Sequence, residues 1–66
     1  MSEEITQRGE FDLPFGRTIS TKAVCHEDGL EFLRLTIREG RRFTIIDLDK
    51  KAANELSAEF NSWASK

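Results

Sequence analysis

Few side chains in this 66-residue chain could do chemistry. Cys25 is the one thiol and His26 the one imidazole, and they are adjacent. A thiol nucleophile needs a base within hydrogen-bond reach. Residues 17–26 (RTISTKAVCH) read as a strand, in which neighbours point to opposite faces. The pair is therefore expected to part, with Cys25 a small inert side chain on one face and His26 on the surface at a loop mouth. One Cys and one His cannot close a zinc site within one chain, and a lone Cys forms no internal disulfide. Asp49 reads as a helix N-cap, and Asp47 as a strand-end capping group on the helix-facing side. No glycine-rich phosphate loop and no nucleophile elbow occur. The expectation is a protein that is not an enzyme and takes no cofactor and no metal.

The basic residues offer a second chemistry. Lys22, Arg34, Arg38 and Arg42, with Phe32 as a stacking platform, could track the phosphates of an unpaired strand. The plainer reading is a solvated face whose Lys and Arg stems cover apolar neighbours. Ten basic residues stand against 12 acidic ones, a net charge of −2. That balance speaks against bulk nucleic-acid binding. The distribution is uneven, because residues 17–44 hold six basic and four acidic side chains.

These groups need elements to position them. Residues 1–9 lack periodicity and are expected to be disordered, leaving residues 10–66 as a single domain. Phe11, Leu13 and Phe15 alternate and suit a short edge strand or arm, with Pro14 confining it to an edge. Residues 17–26, 30–38 and 42–48 read as strands. Glu27-Asp28-Gly29 suits a three-residue loop with Gly in the left-handed place of a G1 bulge. Residues 49–65 read as a helix, with Ala52, Ala53, Leu56, Phe60, Trp63 and Ala64 filling a stripe about 120° wide. Leu48 is placed to act as a hydrophobic staple. The fold class is α+β, an antiparallel three- to four-stranded meander followed by one C-terminal helix packed on one face.

Register decides which residues share a face, since a slip of one flips every side chain. Pairing Ala23 with Leu33, Thr21 with Leu35 and Ile19 with Ile37 keeps one face apolar. A three-residue loop at Glu39-Gly40-Arg41 then pairs Ile37 with Phe43 and Leu35 with Ile45. In that register the helix covers Ile19, Ala23, Leu33, Leu35, Ile37, Phe43 and Ile45. The open face carries Lys22, Arg34, Arg38 and Arg42 at one end, and Val24, Leu30, Phe32 and Ile46 at the other.

Ile46-Asp47-Leu48-Asp49 leading into Lys50–Leu56, and the basic strand Leu33-Arg34-Leu35-Thr36-Ile37-Arg38-Glu39, resemble the β-β-β-β-α modules of the PC4-like coactivator and PUR type. The resemblance covers roughly residues 17–64. It implies single-stranded nucleic-acid binding through Lys22, Arg34, Arg38 and Arg42. The chain departs from that pattern in its shorter loops, net acidity and sparse open-face aromatics. It also looks like a small uncharacterised bacterial protein.

Chains of this length bury only about 60% of their unfolded surface and are marginal alone. The function expected first is a small non-catalytic homodimeric interaction module. Its interface is expected at Phe11, Leu13, Phe15, Val24, Leu30, Phe32 and Ile46, with strand exchange through the arm at residues 10–16. The alternative is a single-stranded nucleic-acid-binding module using Lys22, Phe32, Arg34, Arg38 and Arg42. No apolar run approaches the roughly 18 residues that span a bilayer, and residues 1–10 lack an apolar signal-peptide core. The expected location is cytoplasmic, with no membrane partner.

Overall fold

The computed structural model describes residues 3–66. Four strands, β1 (Glu4–Leu13), β2 (Arg17–Cys25), β3 (Glu31–Glu39) and β4 (Arg42–Leu48), form one antiparallel sheet in the order β1-β2-β3-β4. A single helix, α1 (Lys50–Ala64), follows. The α+β class and the β-β-β-β-α order are those read from the sequence.

The strand β1 is longer than expected. Residues 4–7 and Gly9 are paired with β2, not disordered, while Met1 and Ser2 lie outside the described residues. The pairing shifts between Gln7 and Gly9. A bulge of this kind sends the alternation out of phase, so Ile5 faces one side while Phe11 and Leu13 face the other. That phase break hides the strand from a period-two reading. Gly9 sits at the bulge, with the tip of the Phe11 ring 3.0 Å from where a Cβ would stand. Pro14 opens the turn into β2 and so never interrupts a strand.

The β2–β3 connection matches its expectation. The Gly29 amide donates to the His26 carbonyl at 2.9 Å, and the His26 amide donates to the Leu30 carbonyl at 2.8 Å. Gly29 has φ +92°. These are the marks of a three-residue loop ending in a G1 bulge. The β3–β4 connection corrects its expectation. Glu39 pairs with Arg42, leaving a two-residue loop of Gly40 and Arg41. Gly40 has φ +62° whereas Arg41 is not in the left-handed region, which matches a type II′ turn with Gly in its first central place.

That one-residue difference flips β4. Ile37 faces Thr44, Leu35 faces Ile46 and Leu33 faces Leu48, while Arg38 faces Phe43 and Arg34 faces Asp47. The helix-side face therefore carries Ile46 and Leu48 in place of Phe43 and Ile45. Its rows read Phe11-Ile19-Ile37-Thr44, then Thr21-Leu35-Ile46, then Thr6-Ala23-Leu33-Leu48. Beneath the first turn of α1 lies an open groove of about 570 Å³ lined by Thr6, Ala23, Leu33, Leu48 and Ala53 among others.

The helix starts as its sequence dictates. The Asp49 carboxylate accepts from the Ala52 amide at 2.8 Å, which satisfies one of the orphan donors of the first turn. Ala52 and Ala53 are half-buried, but the rest of the helix is exposed. Leu56 is 38% exposed, Phe60 65% and Trp63 71%. The expected packing along the whole stripe is thus reduced to the first turn. Asp49 alone separates Leu48 from Lys50, so the helix leaves the sheet without a loop in which to turn back over it. The Cα radius of gyration is 13.5 Å, against about 11 Å for a compact chain of this length.

Candidate interaction surface

The far face of the sheet is where the sequence places a basic groove, and the structure divides that set. Lys22, Arg34 and Arg38 share the face with Phe32, but Arg42 does not. It lies on the helix side opposite Glu39, because the shorter β3–β4 loop flips it. Arg34 is already engaged. Its Nε donates to Asp47 Oδ1 at 2.9 Å and its Nη2 to Asp47 Oδ2 at 3.2 Å. Such a two-pronged contact fits guanidinium to carboxylate geometry. The hydrogen bond from Arg34 holds the Asp47 carboxyl below the usual aspartate value against the opposing effect of desolvation, with the charges of Arg34 and His26 adding to the lowering. The same hydrogen bond and the charge of Asp47 raise the Arg34 value.

Asp47 is therefore not a strand-end cap on the helix side. It completes a far-face row of Gln7, Lys22, Arg34 and Asp47. Acidic Glu10 and Asp12 stand on the same face of β1, opposite Ser20 and Thr18. The Arg38 Nε donates to the Gly40 carbonyl at 3.3 Å. Three cations and three carboxylates share this face, Arg34 and Asp47 among them as an ion pair, so the face carries no surplus of positive charge.

At the loop end of the far face, His26 Nδ1 lies 3.1 Å from a Glu3 carboxylate oxygen. The His26 ring meets the Phe32 ring edge-on at 5.7 Å. Cys25 faces the helix side, and its thiol donates to the His26 carbonyl at 3.7 Å. Thiol and imidazole thus part to opposite faces, as strand geometry requires. Among the described residues, no group of three His, Cys, Asp or Glu side chains is placed to hold a metal ion. No described helix is long and apolar enough to cross a membrane.

The expected interface set is also divided. Val24 and Phe32 lie opposite each other on the far face beside Ile5. Val24 is 1% exposed, the only fully buried hydrophobic side chain among the described residues. It is core, not contact surface. Phe11, Leu13 and Ile46 lie on the helix side. Leu30 is exposed beside the β2–β3 loop. Phe15 stands at the tip of the β1–β2 turn with 91% of its surface exposed.

The sequence reading misses two surfaces. Phe43 and Ile45, assigned to the core, are exposed on the far face. Leu56, Phe60 and Trp63, assigned to the core under the helix, form an exposed stripe. A polar row bounds the helix-side sheet face at its other end, where Arg17 pairs with Glu39 beside Arg42.

The class defined by this fold is a four-stranded antiparallel meander with a single trailing helix and uncovered apolar faces. The chain belongs to DUF6967, a family of unknown function, which matches residues 2–66. No curated protein and no solved structure matches it.

Proposed function

We propose that this protein is a non-catalytic interaction module that works as a homodimer. One observation carries the reading, which is the amount of surface left exposed. The single chain exposes 5582 Å². A compact monomer of 7.6 kDa exposes about 4,300 Å² by the scaling of folded monomers. The excess is about 1,300 Å² per copy, or about 2,600 Å² for two copies, which lies in the range of total area that obligate homodimers bury. Apolar side chains supply much of it, among them Phe11, Ile46, Phe60 and Trp63. Large apolar side chains left exposed in such number mark a surface for a partner, and a two-fold contact is its commonest closed form.

The charge pattern supports this reading over single-stranded nucleic acid. A phosphate-tracking surface draws its affinity from unpaired Lys and Arg. Here Asp47 occupies Arg34, and Arg42 lies on the other side of the sheet. Light scattering at micromolar concentration tests the proposal. The expected mass is twice the 7.6 kDa of one chain. A mass of one chain at that concentration rejects it.

A further inference from the structure

We propose that the two copies exchange helices, so that α1 of each lies across the helix-side sheet face of the other. This inference rests on the homodimer reading and names its contact. The apolar stripe of α1 begins against its own sheet at Ala52 and Ala53. It then runs out into solvent, with exposure climbing from 38% at Leu56 to 65% at Phe60 and 71% at Trp63. A 15-residue helix is marginal in water without packing. The outer turns of α1 therefore need a surface their own sheet does not supply.

The same chain carries a surface of matching chemistry. On the helix-side face, Phe11, Ile19, Ile37, Leu35 and Ile46 occupy two adjoining rows across the sheet. Phe11 and Ile46 are exposed. Lys50, Lys51, Glu55 and Glu59 lie outside the stripe at helical spacing, with Glu59 beside its edge, so docking sets no charge of α1 at the centre of the contact.

The area agrees. Leu56, Phe60 and Trp63 together expose roughly 400 Å², taking about 150–250 Å² for a whole large side chain. Matched by an equal area of sheet and counted for both copies, reciprocal docking buries about 1,600 Å², the size of a standard stable interface and about 800 Å² of the roughly 1,300 Å² excess of each copy. Packing α1 on α1 would cover the stripe but leave the sheet rows wet. Exchange covers both at once.

Two variants test the contact: Ile46→Glu alters the sheet surface and Phe60→Lys the helix stripe. Each alone is expected at single-chain mass under conditions where the wild type is dimeric. An equimolar mixture is expected to regain the doubled mass. Its mixed dimer keeps one unaltered helix–sheet contact and sets the two new charges, of opposite sign, against each other in the second. Recovery also shows that both variants fold. If Ile46→Glu dimerises like the wild type, or if mixing restores nothing, helix exchange is wrong while the homodimer stands. If the wild type itself runs as a single chain, both readings fall.

Discussion

Replacing Phe15 by Asn should make the protein more stable. Phe15 sits at φ +66° and ψ +32°, and Gly16 follows at φ +76°. These angles are those of the two central residues of a type I′ turn, whose first place favours Asn, Asp or Gly. A left-handed L-residue with a Cβ costs about 1–2 kcal/mol, and Asn adopts the conformation at less cost. The ring gives little back, since 91% of the residue is exposed. The covered tenth of a roughly 200 Å² ring is about 20 Å², or about 0.5 kcal/mol. The net gain is about 1 kcal/mol, which raises the melting temperature of a domain this small by about 4–8 °C. Thermal and urea unfolding followed by circular dichroism, at two protein concentrations, measure it and separate folding from association. Phe15→Ala is the comparison, because it removes the ring and keeps the strain; it should gain nothing. A Phe15→Asn protein no more stable than wild type would refute the strain argument.

Val24→Ala should cost about 2 kcal/mol, since it removes two methyl groups from the fully buried side chain; a loss under about 0.5 kcal/mol in urea unfolding would show that this site is not the core. Gly40→Ala should cost about 1–2 kcal/mol for its φ of +62°. No atom lies within 4 Å of the added Cβ, so the cost is conformational and an unchanged midpoint would contradict the turn assignment. Asp47→Asn should destabilise the protein near neutral pH and not in acid. The folded Asp47 value is lowered, so its contribution is present above the usual aspartate value and is lost as pH falls through the folded one. A wild-type advantage that persists unchanged in strong acid would exclude the Arg34–Asp47 pair as its source.

The parts of the fold legible in the sequence are those where local chemistry and periodicity agree. Glu27-Asp28-Gly29 announces its turn because only Gly takes the left-handed place cheaply. The β2–β3 register is legible because Ile19, Ala23, Leu33, Leu35 and Ile37 allow one apolar phase. Strand β4 is different. Its apolar residues are Phe43, Ile45, Ile46 and Leu48, so both phases look equally fit to face inward. Hydrophobic pattern cannot choose between them, and the turn decides. Gly40 favours the first place of a two-residue II′ loop, and that choice moves Arg42 and Ile46 off the far face and brings Asp47 onto it. The candidate basic set is divided by this single point of register: Arg42 leaves the far face and Asp47 joins Arg34 there. Strand β1 is hidden by the Gly9 bulge, which puts Ile5 and Phe11 on opposite faces. The α1 stripe is fully legible, but its destination is not, because periodicity reports that a face needs cover and not which chain supplies it.

Trp63 is the one tryptophan, which makes its environment directly measurable. In the single chain it is 71% exposed. The most direct test of the central claim is acrylamide quenching of its fluorescence across a dilution series. A helix stripe covered by a second copy predicts a protected, blue-shifted Trp63 at high concentration that becomes red-shifted and fully quenchable on dilution. A Trp63 equally quenchable at every concentration would contradict the account.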